Sequence, residues 1–120
     1  MAKKKILVVE DEPVITELIS MLLEKEGYEV ASFSNNAGIK AHLHSGPVAL
    51  VLLDLALGGQ DGMGICDYIK QNEELKHIPV VLISAHRDLE KIAGECGADG
   101  FILKPFELTG FATRVKEFIR

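Results

Sequence analysis

The sequence predicts an α/β protein, a single-domain doubly wound (βα)5 sandwich in which a five-stranded parallel sheet lies between two layers of helices. Five short apolar runs alternate with segments whose apolar residues recur at helical spacing. The first run, 5–9, shows no period-2 alternation, the pattern of a strand covered on both faces. No linker, repeat or low-complexity stretch interrupts the 120 residues, which makes 1–120 one domain.

Strand one is Lys5 to Val9. Helix one follows with Pro13 in the first turn, where its missing N–H is harmless, and with Val14, Ile15, Leu18, Ile19, Leu22 and Leu23 at helical spacing; Gly27 supplies the left-handed stop. Strand two spans Tyr28 to Phe33, and a shorter helix spans Asn36 to His44, ended by Ser45-Gly46-Pro47. Strand three, Ala49 to Leu53, runs into Asp54, after which residues 55–62 are too rich in glycine for helix or strand. Helix three begins near Met63. Strand four is Val80 to Ile83, and helix four carries Leu89, Ile92, Ala93 and Cys96 at i, i+3, i+4 and i+7. Strand five is Phe101 to Leu103, and helix five carries Leu108, Phe111, Val115, Phe118 and Ile119.

Composition narrows the function. A hydrophobic fraction of 48% provides a real core, which excludes disorder and disulfide-dependent miniproteins. A formal charge of −5 has the wrong sign for holding nucleic acid by counterion release. The longest apolar run, Val48 to Leu53, is far short of the roughly 20 residues that cross a bilayer. The basic start Lys3-Lys4-Lys5 is followed too soon by Glu10, Asp11 and Glu12 to be a signal peptide, so the expected compartment is the cytoplasm. Cys66 and Cys96 have no zinc-type spacing and read as buried free thiols, and the four histidines read as isolated surface residues. Gly58-Gly59-Gln60-Asp61-Gly62 has the form of neither nucleotide-binding loop.

Strands joined by single crossover helices run parallel, so their C-terminal ends share one edge, and ligands bind beyond that edge. The residues ending the strands are Glu10, Asp11 and Glu12; Ser34 and Asn35; Asp54; Ser84 and Ala85; and Lys104 and Pro105. Acidic residues before a helix also serve as caps and dipole partners, which is a sufficient role for Asp11 and Glu12. Asp54 is different, because it ends the most apolar strand beside other carboxylates, an arrangement that needs a compensating cation. Hard oxygen donors in that number suit Mg2+, and Mg2+ suits phosphate chemistry. Lys104 then offers a point charge and Ser84 a hydroxyl to phosphoryl oxygens. A static Lys104–Asp54 bridge and a Ser84 bond within its own loop are the simpler alternatives.

These residues resemble the receiver domain of two-component response regulators, with the chemotaxis-regulator-like fold. The resemblance rests on Ile6-Leu7-Val8-Val9-Glu10-Asp11-Glu12, on Leu52-Leu53-Asp54-Leu55 with Asp61-Gly62, on Ile83-Ser84-Ala85, and on Gly97-Ala98-Asp99-Gly100-Phe101 leading to Lys104-Pro105-Phe106, in that order and over essentially the whole chain. It implies strand order 2-1-3-4-5. It also implies that Asp54 accepts a phosphoryl group from a phosphohistidine on a sensor histidine kinase or histidine phosphotransfer protein. Glu10, Asp11, Asp54 and the Ala56 backbone carbonyl would hold Mg2+, with Lys104 and Ser84 as catalytic partners. Ser84 and Phe101 would form a switch that remodels the face of helix four, strand five and helix five for a downstream effector protein or fused output domain. The protein would be no enzyme beyond its own phosphorylation and dephosphorylation, and the Lys104-Pro105 bond would be cis.

The sequence departs from the family at Gly58, where proline is common, and at Phe101, where tyrosine is common. Ala56 and His86 stand where relatives tune phosphoryl lifetime. The start Met1-Ala2-Lys3-Lys4-Lys5 favours a stand-alone receiver over one excised from a longer regulator or hybrid kinase. A small phosphatase of the haloacid-dehalogenase type would want a second aspartate where Ala56 stands. A receiver-like interaction module that is never phosphorylated would lack one of the acids or the lysine.

Overall fold

The computed structural model describes residues 3–35, 38–57 and 60–119, with the side chains of 56, 57 and 60–62 outside the description. In chain order the elements are β1 (Lys5–Val9), α1 (Pro13–Lys25), β2 (Glu29–Phe33), α2 (Ile39–His44), β3 (Leu50–Asp54), β4 (Ala56–Leu57), β5 (Gln60–Asp61), α3 (Gly62–Gln71), β6 (Val80–Ser84), α4 (Leu89–Cys96), β7 (Gly100–Leu103) and α5 (Leu108–Lys116). The main sheet is parallel throughout and ordered β2-β1-β3-β6-β7, which is the expected 2-1-3-4-5 once the β4–β5 pair is set aside.

Successive side chains of a strand point to opposite faces, so a run apolar at every position fills two cores. Leu7, Val9, Val51, Leu53, Val80 and Leu82 pack on one face with Ile39 and Leu43 of α2, Cys66 and Ile69 of α3, and Leu89, Ala93 and Cys96 of α4. Ile6, Val8, Leu50, Leu52, Val81 and Ile83 pack on the other with Ile19 and Leu23 of α1 and Phe111 and Val115 of α5. All five residues of β3 and of β6 are buried.

Some expectations are corrected. Residues 55–62 are not irregular throughout: Ala56 pairs with Asp61 and Leu57 with Gln60 in an antiparallel ladder. The two intervening glycines, 58 and 59, lie outside the described residues, but extended dipeptides separated by two glycines carry a hairpin signal that glycine content alone conceals. The second helix is described from Ile39, and the expected start at Asn36 falls outside the described residues. Val14 belongs to no core: it is 75% exposed. Helix five ends at Lys116, and Phe118 and Ile119 pack against the α1 side of the core from the turn that follows.

Gly27 ends α1 as the sequence predicts. Its φ is +93°, its N–H donates to the Glu24 carbonyl at 3.0 Å, and the Tyr28 N–H donates to the Leu23 carbonyl at 3.2 Å, the paired bonds of a Schellman stop. A Cβ there would meet nothing within 4 Å, so only the backbone conformation opposes a side chain. Gly27→Ala is therefore expected to lower unfolding free energy by about 1–2 kcal/mol, read as a lower urea midpoint at unchanged slope.

Candidate functional site

The ends of β1, β3, β6 and β7 bring the predicted residues to one edge. Val9 registers with Leu53, which sets Glu10 beside Asp54, and Asp54 registers with Ile83, which sets Ser84 one step further along the neighbouring strand. Ser84 registers with Leu103, so Lys104 emerges next, its N–H donating to the Ser84 carbonyl at 2.9 Å. The Glu10 backbone is anchored from two sides. Its N–H donates to the Phe33 carbonyl at 3.0 Å, and its carbonyl accepts from the Thr16 hydroxyl at 3.2 Å.

Burial decides the electrostatics. Glu10 is 2% exposed and Asp54 4%, and the two carboxyl groups lie within hydrogen-bond reach of each other. The Lys104 ammonium donates to Glu10 Oε1 at 2.8 Å and to Asp54 Oδ2 at 3.3 Å. Burial, with Asp54 as like-charged neighbour, lifts the Glu10 pKa from the ordinary 4.5 to about 7 against the lowering effect of Lys104. For Lys104, burial acts downward, but the Glu10 hydrogen bond and the charges of Asp54 and Glu10 prevail and raise it above its ordinary value. One ammonium thus serves two buried carboxylates and prefers Glu10 by distance.

Asp11 is half-buried and follows Glu10 directly. Among the described residues, Glu10, Asp11 and Glu12 are the three that bring one carboxylate oxygen each within 4.8 Å of one another. Glu12, which the sequence reading left out of the ligand set, also donates its backbone N–H to Glu10 Oε2 at 3.3 Å. Ala56 opens β4 two residues past Asp54. The Ser84 hydroxyl accepts from the His86 N–H at 3.0 Å, so both simpler contacts, the loop bond of Ser84 and the Lys104–Asp54 bridge, are present in this state. Phe101 in β7 is half-buried against the α2–α4 side of the core, and its carbonyl accepts from Arg114 of α5 at 3.1 Å, a link the sequence reading missed. The Lys104-Pro105 bond is cis.

The histidines are less isolated than expected. His44 Nε2 lies 2.7 Å from the Tyr68 hydroxyl and its Nδ1 lies 3.3 Å from Glu74, while His42 Nε2 lies 3.3 Å from the Lys5 ammonium. These partners stand 24 to 37 residues away, beyond what local sequence reveals.

An edge of this kind, with acids and a lysine beyond the ends of a 2-1-3-4-5 parallel sheet, defines a class of signalling domain. The sequence matches the family described as the response regulator receiver domain over residues 6–116, and the chain belongs to that family. It is 38% identical over 123 residues to the transcriptional regulatory protein AruR of Pseudomonas aeruginosa, covering 97% of this chain and 49% of that one. It is 37% identical to the response regulator ArlR of Staphylococcus saprophyticus, covering 97% and 52%. The chain thus spans about half the length of the curated relatives it matches. Among solved structures, the receiver domain of a signal transduction histidine kinase from Syntrophus aciditrophicus superposes with TM-score 0.85 at 32% identity, covering 96% of this chain and 89% of that one. The chemotaxis protein CheY4 of Vibrio cholerae shares the fold at TM-score 0.88 and 19% identity, covering 98% and 100%. Among the described residues no helix is long and apolar enough to cross a membrane.

A carboxyl with a higher pKa folded than unfolded binds more protons in the native state between the two values, so stability falls as pH rises from about 4.5 to about 7. In divalent-free buffer the thermal midpoint is expected to decline across that window, and Glu10→Gln, which cannot ionise, is expected to flatten the decline. An equal slope in the variant would remove Glu10 as its source.

Proposed function

We propose that this receiver is a phosphoacceptor switch in which Asp54 takes a phosphoryl group from a phosphohistidine of a sensor histidine kinase or a histidine phosphotransfer protein. The observation that carries the reading is the buried pair Glu10–Asp54 sharing the single Lys104 ammonium at the strand ends. A structural ion pair needs one carboxylate. A second one, forced close enough to lift its own pKa, leaves the cluster short of positive charge, and a transferring phosphoryl group would meet that deficit only with a cation beside it.

The donor set fits Mg2+, since among the described residues the side chains that gather their ligand atoms here, Glu10, Asp11 and Glu12, all offer hard carboxylate oxygens. Glu10, Asp11 and Asp54, with the Ala56 carbonyl, would hold the ion, which supplies charge neutralisation on phosphoryl oxygens. The chain's own residues do the rest. An Asp54 oxygen attacks phosphorus while the nitrogen–phosphorus bond of the donor breaks and the departing imidazole keeps the electron pair and takes a proton. Lys104, held beside Asp54, turns its donors toward the incoming oxygens. Ser84, whose oxygen accepts from the His86 N–H, donates its hydroxyl to the phosphoryl group and vacates space beside Phe101. The domain catalyses only its own modification and its reversal.

The reader of the change is a downstream effector or fused output domain, on the face formed by α4, β7 and α5. Support comes from the link between Arg114 and the Phe101 carbonyl, which ties α5 to the switch strand. Both conformations would pre-exist, with phosphorylation shifting their populations.

Incubation with acetyl phosphate and Mg2+ is expected to add one labile phosphoryl group by intact mass, chelation is expected to stop it, and Asp54→Asn is expected to take none. Labelling of the Asn variant would move the acceptor elsewhere. Lys104→Ala is expected to lose about 1–3 kcal/mol of stability at neutral pH, because buried carboxylates lose a charged hydrogen-bond donor. It should still fold but separate phosphorylation from partner binding in a pull-down; unchanged coupling would remove Lys104 from the mechanism.

A further inference from the structure

Cys66 and Cys96 take no part in the chemistry above, yet they occupy the seam between α3 and α4. The Cys66 thiol donates to the backbone carbonyl of Cys96 at 3.4 Å, the Cys96 thiol donates to the Ala93 carbonyl at 3.7 Å, and the two side chains lie within hydrogen-bond reach of each other. A side chain of one helix touching the backbone of the next requires a close approach of the two helices. Both sulfurs are buried and free. Burial, with Cys96 as neighbour, pushes the Cys66 thiol well up, so neither is an exposed nucleophile in the closed structure.

The access route we take is an opening of α4, whose N-terminal end is weakly held. It has eight residues, Asp88 at its start makes no side-chain cap bond, and Gly94 sits in its interior, exposed, with nothing within 4 Å of where a Cβ would be. An interior glycine weakens a helix by roughly 0.5–1 kcal/mol relative to alanine, and no packing contact requires glycine here. The start of the helix is therefore weakly held, while Gly97, in the left-handed conformation, closes its end with an N–H to the Ala93 carbonyl, so Cys96 is uncovered when the whole short helix opens.

We propose that Cys66 and Cys96 form a reversible intrachain disulfide under peroxide, which staples α4 to α3 and holds the α4–β7–α5 face in its resting arrangement. One thiol, uncovered and deprotonated, attacks a peroxide oxygen; the oxygen–oxygen bond breaks and a sulfenic acid and water form. The second thiol then displaces the sulfenic hydroxyl as water, closing the sulfur–sulfur bond. Two thiols are oxidised and one hydrogen peroxide is reduced to two waters. The stapling of α4 follows from the structure alone, whereas its effect on signalling rests on the reading that this face responds to phosphorylation at Asp54.

The test treats the full chain with hydrogen peroxide and reads intact mass and a non-reducing peptide map. The expected product is a monomer lighter by two hydrogens, with residues 66 and 96 in one linked fragment, restored by dithiothreitol. Cys66→Ser and Cys96→Ser should not form it, and Gly94→Ala should form it several-fold more slowly because α4 opens less often. Added oxygens without the link, or disulfide-joined dimers, or no reaction in the folded protein, would each overturn the proposal. Hydrogen exchange of α4 amides should slow by roughly tenfold or more in the oxidised form; unchanged exchange would overturn the stapling. Acetyl phosphate labelling of the oxidised protein separates the two readings: the mass shift at Asp54 reports the phosphoacceptor independently of the link.

Discussion

Everything at the functional edge follows from placing Glu10 and Asp54 side by side out of water with one ammonium between them. The parallel register of β1 against β3 imposes the neighbourhood, because Val9 opposite Leu53 leaves no other place for the next residue of each strand. Burial then makes the pair unfavourable as two free charges, and the rise of the Glu10 pKa is the measure of that unease. The Lys104 ammonium does not offset that burial for Glu10, whose pKa stays raised. On the proposed reading, a divalent cation supplies the compensating charge ahead of the phosphoryl group.

The remainder of the fold is a frame for that edge. Strands apolar at every position accept helices on both faces, and helices on both faces force parallel crossovers, which gather all strand ends on one side. Both cores hold residues with almost no exposure, Ile19, Leu23, Phe111 and Val115 on one side and Ile39, Cys66, Ile69 and Leu89 on the other. Phe101 packs against the second of these.

Much of this was legible in the residues. Periodicity sufficed for the strands and for α1, because apolar spacing there coincides with Pro13 and Gly27 at the two ends, and the residues ending each strand could be named without coordinates. Other features depend on approach in space. That Lys104 sits nearer to Glu10 than to Asp54, that Arg114 reaches the Phe101 carbonyl, and that His44 bridges toward Tyr68 and Glu74 are contacts between distant segments, with no local signature. The pairing of Ala56 and Leu57 with Asp61 and Gln60 is hidden for a different reason, since glycine content reads as a breaker where the spacing speaks for a hairpin.

The claim that an under-compensated pair of carboxylates recruits the cation is most directly tested by counting protons. Calorimetric titration of Mg2+ into the protein, repeated near pH 7 in buffers of differing ionisation heat, gives the number released on binding. The account predicts that a fraction of a proton leaves with each ion near pH 7, and that this fraction vanishes both well above that pH and in Glu10→Gln. Binding without proton release from the wild type, or equal release from the variant, would contradict it.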